Sequence, residues 1–413
     1  MLKANYKSGA MYWIVSTVLV LSLAVKLGHS LLVNVVDERY YDWGFSDILV
    51  NYEGGFVRRG LLGEILFGIS RVLHLDAGQL VMGLCYASYA AVFAVMLRGV
   101  RRLRASWWIL LSPLLCGYTV DIVRKDYLLI LAAAALLYII SRHPNPARYL
   151  AITLLSIVVI MCHEAFIFWG MPVVAWLMLK DVGNRKYTVP FLLLILASVA
   201  VMSIFHGTEE IAHRIYSSWC EVIPGFAPYS EQYSLQAIGY DAVWAMKIHF
   251  HNSFNVDPFG LWTFPLHLLN YCVIFYLFTR FPFVIKRKGS QLGDKHRDTL
   301  SALFIVLSIT NIPMFTLLFF DYARLYQYIC AESMLTMMIL PAGRFLTLLP
   351  ERFVGLVSRI NCRIDRLIPP KPALLIILLL VVGVETTTLN YGRAFEMSPI
   401  GSLWRAITTL ISL

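Results

Sequence analysis

The sequence contains a series of long apolar segments, and this feature limits the possible folds more than any other. A helix that crosses the hydrocarbon core of a bilayer needs roughly 20 mainly apolar residues. We identify eleven candidate spans, with approximate limits 11–36, 79–97, 107–120, 126–141, 149–164, 165–179, 188–206, 261–279, 300–320, 325–342 and 373–390. The third, fifth and sixth of these are short, so one of them is either re-entrant or has different limits. The segment 399–413 is either a twelfth crossing or an interfacial helix.

The composition excludes a water-soluble domain. Hydrophobic residues make up 59% of the 413 residues and charged residues only 15%, whereas soluble domains carry about 25% charged residues. The seven cysteines show no CxxC pair and no zinc-type spacing, so neither a disulfide framework nor a metal site is indicated. We therefore predict an all-α fold, a polytopic transmembrane helix bundle in which 1–413 forms one integral membrane domain.

Lysine and arginine are distributed unequally between the two sets of loops. If the N-terminus is cytoplasmic, 23 basic and 5 acidic residues fall on the cytoplasmic side, against 11 and 18 on the exterior side. Cytoplasmic loops of membrane proteins carry an excess of lysine and arginine. We therefore predict a cytoplasmic N-terminus and basic cytoplasmic loops at 280–300 and 343–372. This asymmetry accounts for the net charge of +10, so no nucleic-acid partner is expected.

Two of the predicted exterior loops are long, 37–78 and 206–260. Apolar residues at helical spacing over 61–73 predict an amphipathic helix that lies in the membrane surface, so membrane lipid is an expected partner. The second loop is rich in aromatic residues: Tyr216, Trp219, Phe226, Tyr229, Tyr233, Tyr240 and Trp244. Such rings either stack on sugars or form an aromatic belt at the interface.

Ionisable residues collect at the exterior ends of the predicted spans. They are Asp37 and Glu38, Arg58 and Arg59, Asp121, Arg124, Lys125 and Asp126, His163 and Glu164, and Asp321 and Arg324. Five separate turns thus deliver charge to one surface, and we expect these groups to meet in one pocket at the outer leaflet. Ionisable groups close to a membrane mark functional sites by default. Inside the spans, Lys26, His29 and Glu332 are further buried ionisable candidates.

Each of these groups has a structural and a catalytic interpretation. Asp37 and Glu38 are either solvated loop carboxylates or a general base that deprotonates a hydroxyl. Arg58 and Arg59 either anchor the surface helix to lipid headgroups or bind pyrophosphate through their planar forks. Within 121–126 the charges either pair with one another or bind a lipid-linked phosphate.

The remaining two groups are His163 with Glu164 and Asp321 with Arg324. His163 is either hydrogen-bonded in the bundle or a proton-transfer group, and it is followed directly by Glu164. Asp321 and Arg324 are spaced to pair on one helical face.

No P-loop, GxGxxG, GxSxG or HExxH motif occurs, so nucleotide hydrolysis, dinucleotide redox and standard hydrolase or zinc protease chemistry lack support.

The acidic pair after the first crossing, the surface helix in the first exterior loop and the polytopic body resemble the GT-C superfamily of membrane glycosyltransferases. The span number and the enlarged exterior loop are also similar to bacterial O-antigen and capsule polymerases of the Wzy type. The FVRRGLLG, RKD, HE and DYAR blocks are similar to those of membrane proteins from surface-polysaccharide loci.

The GT-C resemblance places the catalytic base on Asp37 or Glu38. From the residues themselves, His163 is an alternate base, and Glu164 beside it is a further candidate catalytic residue. The absence of a DxD motif leaves open whether Mg²⁺ or Mn²⁺ takes part. The Wzy resemblance adds an Arg-x10-Gly pattern, which Arg214 and Gly225 match, and a chain-length regulator protein as a partner. The polysaccharide resemblance also implies the bacterial inner membrane as the location.

These observations lead to a first hypothesis of function. The chain is expected to be an inner-membrane transferase that joins polyprenyl-pyrophosphate-linked sugars or repeat units at the periplasmic face. The charge on the pyrophosphate leaving group would be stabilised by four basic residues: Arg58, Arg59, Arg124 and Lys125. The alternative is a flippase or transporter for a lipid-linked saccharide or another solute, which would place ionisable groups near the midplane. A membrane acyltransferase that uses His163 is a third hypothesis.

Overall fold

The computed structural model describes residues 9–36, 43–117, 121–180, 185–223, 226, 228–239, 242–254, 262–318, 322–383 and 395–411. Over these residues the protein is all-helical, with no β-strand, and an isolated bridge joins Ala105 and Lys286. The first ten helices are α1 Ala10–Leu31, α2 Trp43–Ile48, α3 Gly60–Leu73, α4 Ala77–Leu103, α5 Asp126–Ile140, α6 Pro146–Cys162, α7 Phe166–Trp169, α8 Met171–Lys180, α9 Arg185–Ile204 and α10 Glu209–Cys220. The others are α11 Tyr233–Gln236, α12 Ala242–Phe254, α13 Thr263–Val284, α14 Asp294–Thr310, α15 Tyr322–Ile339, α16 Ala342–Leu346, α17 Glu351–Leu367, α18 Pro372–Val381 and α19 Pro399–Ile411.

Four helices in the described part of the chain are long and apolar enough to cross a membrane: Ala10–Val35, Ala77–Leu103, Lys186–Ile204 and Phe264–Val284. Four shorter apolar helices, α5, α6, α8 and α18, fall where the sequence predicts further spans. These helices indicate a membrane protein. The predicted number of eleven spans is not confirmed.

The predicted span at 107–120 does not form an α-helix over the residues described there. Trp107–Leu111 is one short 3-10 turn, and the chain then folds back through turns as far as Gly117. Pro113 cannot donate a helical hydrogen bond. A side chain at Gly117 would place its Cβ 2.1 Å from the Leu111 carbonyl oxygen, so the close return of the backbone depends on glycine.

Polar side chains from other helices bind the carbonyl groups of this folded-back segment. Lys26 donates to the Gly117 oxygen at 3.2 Å, Tyr89 to the Cys116 oxygen at 2.6 Å and Gln327 to the Leu115 oxygen at 2.9 Å. Non-helical backbone at membrane depth is tolerated where protein groups satisfy it. Lys26 therefore has a structural role inside the bundle, where it also donates to the Met397 oxygen at 2.7 Å.

The bundle is organised around α15, which packs against α4, α5 and α14. Every residue of α15 from Tyr322 to Met338 is buried. Its neighbour α5 is apolar on all sides and contacts α4, α6, α8 and α15. A helix that is apolar around its whole circumference is stable only when protein or lipid surrounds it. The N-termini of α5 and α15 thereby come together at one end of the core.

A second hydrophobic cluster covers that end of the bundle. It contains apolar side chains from α2, α3, α10 and α11, and we refer to these four helices as the cap. Trp219 of α10 is fully buried against Phe67 of α3, with ring centroids 5.1 Å apart, and donates to the Leu49 carbonyl. Described parts of the two long loops, α2 and α3 from 37–78 and α10 and α11 from 206–260, thus combine in the cap, and α3 packs on α4 and α6.

The helix predicted over 61–73 is present as α3, and two of its sides are apolar. Leu62, Leu66 and Phe67 are buried in the cap, while Ile65 and Val72 are exposed at 47% and 76%. Burying one apolar side against protein leaves the other free for lipid. This pattern is consistent with the predicted position in the membrane surface.

Candidate functional site

Side chains from five separate parts of the chain meet at the end of the bundle, beneath the cap. We define the charge cluster as Asp47, Arg58, Arg59, Arg124, Lys125, Asp126, Glu164 and Arg324. Asp47 comes from α2, and the arginine pair directly precedes α3. Lys125 and Asp126 open α5, Glu164 follows α6, and Arg324 lies in the first turn of α15.

Arg59 is the centre of the first ion-pair group. Its Nε donates to both carboxylate oxygens of Glu164, at 2.9 and 2.8 Å, and its Nη1 donates to Asp47 Oδ1 at 3.3 Å. Burial disfavours the charged form of Arg59, but the two carboxylates raise its pKa above the ordinary value. Burial likewise opposes ionisation of Glu164, and Arg59 holds the pKa of that carboxyl well below its usual range.

The backbone of Arg59 is also unusual. Its φ of 64° is in the left-handed region, which residues other than glycine rarely adopt. Such strain persists only where the surroundings fix the residue, and it is concentrated at functional sites. Here the multiple hydrogen bonds to Glu164 hold the side chain, and the left-handed residue redirects the chain into α3.

Asp47 connects Arg59 to a buried lysine. Lys125 has no exposed side-chain surface, and its Nζ lies 3.3 Å from Asp47 Oδ2 and 3.2 Å from the Cys162 carbonyl oxygen. Burial opposes ionisation of Asp47, but Lys125 and Arg59 together hold the pKa of this carboxyl below its ordinary value. Asp47 therefore remains ionised and fixes two cations from different elements.

A second ion pair lies deeper in the bundle, between α15 and α5. Arg324 donates from Nε to Asp126 Oδ2 at 2.9 Å and from Nη2 to Oδ1 at 2.7 Å. The hydroxyl of Tyr328, one turn further along α15, also donates to Asp126. The predicted partner of Arg324 was Asp321, which lies outside the described residues, and the salt bridge that is seen joins two helices 198 residues apart in sequence.

Arg58 differs from the other cations of the cluster. Its backbone N–H donates to the Phe205 carbonyl at 2.9 Å, but its guanidinium makes no hydrogen bond or ion pair with the described residues. Burial and the adjacent Arg59 lower the pKa of Arg58, and Glu164 and Asp47 oppose that shift. Within the described part of the chain, the guanidinium donors of Arg58 are therefore open to a further group.

Among the described residues, the charge cluster contains more positive than negative side chains. Five arginine and lysine side chains accompany three carboxylates, and the N-termini of α3, α5 and α15 lie at the same end of the bundle. Helix N-termini add a positive potential that favours anions. The arrangement is therefore suited to an anionic group placed next to Arg58.

His163 lies in the turn after α6, with 4% of its surface exposed. The Ala165 N–H donates to its Nδ1 at 3.2 Å, so the ring proton is on Nε2 in the neutral form. Burial, with the nearby Arg59, lowers the pKa of His163 to about 3. At neutral pH the ring is uncharged and can donate one hydrogen bond from Nε2.

The pKa of His163 predicts a pH dependence of stability. Between pH 6.5 and about 3 the unfolded chain binds a proton that the folded chain does not, so stability must fall as pH falls. We expect a loss of about 2 kcal/mol between pH 7 and pH 5 from this residue. Thermal unfolding of wild type and His163→Gln over this range measures it, with the exposed His74→Gln as the matched control. If stability of His163→Gln falls between pH 7 and pH 5 as much as that of wild type, His163 is not the residue responsible.

The other predicted site residues lie outside the charge cluster or outside the described residues. Asp121 accepts from Asn34 at 3.4 Å and from the Val123 N–H at 3.2 Å, at the end of the first helix. Arg214 is exposed on α10 and pairs with Glu210 at 2.5 Å. Four predicted positions lie outside the described residues: Asp37, Glu38, Gly225 and Asp321.

Asp47 was not among the residues singled out from the sequence, although it is the only carboxylate among the described residues that is bonded to two cations of the cluster. Two features of the sequence point to it. It is an acidic residue inside the apolar stretch 45–50, and Gly44 precedes it. A Cβ at Gly44 would lie 2.5 Å from both the Arg124 side chain and the Val123 oxygen, so glycine permits the close approach of α2.

The described residues contain no group of three His, Cys, Asp or Glu side chains arranged to hold a metal ion. The three carboxylates of the cluster are each bonded to arginine or lysine. These described carboxylates are thus engaged with protein cations, and no chemical step is assigned to a metal. Comparison with models of protein families, with curated proteins and with solved structures finds no match to the chain.

Proposed function

We propose that this protein is a membrane glycosyltransferase or polymerase that joins polyprenyl-pyrophosphate-linked sugars or repeat units. The observation that carries the proposal is the convergence of the charge cluster at one end of an apolar bundle, where the Arg58 guanidinium has no hydrogen-bond or ion-pair partner among the described residues. A lipid-linked donor would place its chain among the helices and its pyrophosphate at the end of the bundle.

The proposed reaction uses few groups of the protein. Asp37 or Glu38 takes the proton of an acceptor hydroxyl while its oxygen forms a bond to the anomeric carbon. The bond from that carbon to the pyrophosphate oxygen breaks, and the polyprenyl pyrophosphate leaves with the electron pair. Arg58 and the Nε2–H of His163 stabilise the charge that develops on it. Arg59, Lys125 and Arg324 hold the carboxylates that shape the cluster.

Turnover of a lipid-linked donor tests the proposal. The purified full-length chain is incubated with polyprenyl-pyrophosphate-linked saccharides extracted from its source organism. We expect longer lipid-linked saccharides and released polyprenyl pyrophosphate, and both products should be lost in Asp37→Asn or in Glu38→Gln. Normal turnover in both variants would remove the acidic pair from the mechanism, and no product from wild type would contradict the proposal.

One observation favours the alternative, a transporter or flippase. Glu332 in α15 is fully buried, and neither carboxylate oxygen has a hydrogen-bond partner among the described residues. Ionisable residues inside a membrane bundle mark solute, ion or proton pathways. Transfer of the same lipid-linked saccharide across a proteoliposome membrane, without formation of a new glycosidic bond, would favour this function over the transferase.

We also propose the finer topology of about eleven spans, with a twelfth as the alternative, in the bacterial inner membrane. The N-terminus is then cytoplasmic and the charge cluster periplasmic. A chain-length regulator is the proposed protein partner. Eight apolar helices of the described residues and the charge asymmetry of the loops support this topology.

Native cysteines allow a direct test of the proposed topology. Cys220 lies in the loop 206–260 and Cys362 in the loop 343–372, and both are exposed. The third exposed cysteine, Cys272, lies inside the apolar helix Phe264–Val284, and Cys85 and Cys330 are buried. We expect a membrane-impermeant maleimide to label Cys220 in spheroplasts and Cys362 only after lysis. Cys220→Ser and Cys362→Ser identify the two labels. Labelling of Cys362 from outside would reverse the topology.

A further inference from the structure

A second unusual surface lies on α17, in the loop segment 343–372 and away from the charge cluster. One side of this helix is fixed to the bundle through buried polar contacts. Asn361 accepts from Arg280 Nη2 at 2.8 Å and donates to Asp298 Oδ1 at 2.8 Å. Asp365 accepts from Arg280 Nε at 3.1 Å. These contacts to α13 and α14 fix the rotation of α17 about its own axis.

The opposite side of α17 carries a row of arginines. Arg352, Arg359, Arg363 and Arg366 are all exposed, and none forms a hydrogen bond or ion pair with the described residues. At 3.6 residues per turn these four positions fall within about 60° of arc and extend over about 21 Å. Asp365 faces inward to Arg280, and Glu351, the other acid of the helix, forms no ion pair with the row among the described residues.

An exposed apolar flank runs beside the arginines. Leu356, Ile360 and Leu367 are exposed at 47%, 41% and 82%. Their positions lie on one edge of the arginine row, between the row and the side that contacts the bundle. The fixed rotation of α17 therefore presents an apolar strip and a cationic strip side by side.

We propose that α17 is a binding surface for anionic phospholipids, with its apolar flank among the acyl chains and its arginines on the phosphate headgroups. Amphipathic helices with arginine on the polar face bind in this way, and anionic lipid adds to the affinity. An RNA or an acidic protein would account for the arginines but not for the exposed leucine and isoleucine side chains. The surface is independent of the proposed transferase reaction.

The test is lipid selectivity of the full-length protein in phosphatidylcholine bilayers. Electron paramagnetic resonance with spin-labelled phosphatidylglycerol and spin-labelled phosphatidylcholine measures their relative association with the protein. In the variant R352Q/R359Q/R363Q/R366Q we expect the preference for phosphatidylglycerol to fall at least about fivefold. If this variant fails to fold, R359Q/R363Q replaces it, with a smaller fall expected.

The matched control removes four exposed cations that are not on α17, in R101Q/R287Q/K288Q/K295Q. We expect this control to keep the preference of wild type. An equal fall in the control would overturn the proposal, because net charge would then explain the selectivity. An unchanged preference in the α17 variant would also overturn it, and loss of co-purifying nucleic acid from that variant would point to RNA instead.

Discussion

Replacing Arg324 by methionine will destabilise the folded protein by about 3–5 kcal/mol, because it leaves the carboxylate of Asp126 buried without its cation. The side chains of Arg324 and Asp126 are 7% and 2% exposed. Water therefore cannot compensate the lost pair. Thermal unfolding in detergent, followed by loss of the monodisperse peak on size exclusion, measures the effect.

Two further variants distinguish the effect of breaking a buried ion pair from the effect of losing one charge. The double variant Arg324→Met with Asp126→Leu removes both charges, and it should recover most of the stability because no unpaired ion remains. Arg71, which pairs at the surface with Glu53 and Glu221, is the matched control. Its replacement by methionine should cost about 0–1 kcal/mol. A double variant as unstable as Arg324→Met would contradict the ion-pair explanation.

Replacing Arg58 by alanine will lower transferase turnover by about 10²–10³-fold with little change in stability. The guanidinium has no partner among the described residues, so its removal leaves no buried carboxylate unpaired. The proposed role is stabilisation of the leaving pyrophosphate, which matters only during the reaction. The turnover assay described above and thermal unfolding of the same preparation check the two parts of this prediction.

Arg59→Ala is the matched comparison for Arg58→Ala, since the two residues are adjacent in sequence. Loss of Arg59 leaves Glu164 without its bidentate partner, so both stability and turnover should fall. Arg58→Lys keeps the charge but not the planar fork, and an intermediate turnover is expected. If Arg58→Ala turns over at the wild-type rate, Arg58 does not bind the reacting group.

Local sequence patterns predicted several elements of the fold well. The apolar segments near 11–36, 79–97, 188–206 and 261–279 correspond to the four long apolar helices. The helical spacing over 61–73 corresponds to α3. Hydropathy and periodicity depend only on neighbours along the chain, which is why the sequence shows them directly.

The segment 107–120 shows where that reasoning fails. It is as apolar as a span, but Pro113 and Gly117 permit a folded-back path. The carbonyl groups that make no helical hydrogen bond accept hydrogen bonds from Lys26, Tyr89 and Gln327. Those three donors come from α1, α4 and α15. A hydropathy profile contains no information on such distant partners, so it could not distinguish this segment from a helix.

The charge cluster depends both on local sequence patterns and on the packing of distant helices. The sequence alone determined that this is an apolar, helical chain with ionisable residues at particular helix ends, because those properties are local. Only the tertiary structure decided which charges pair. Asp47 joins Arg59 to Lys125, and Arg324 pairs with Asp126 across 198 residues, while Arg58 has no ion-pair partner among the described residues. The reason is that an ion pair requires two side chains within about 4 Å, and packing of the helices, not their order along the chain, sets that distance.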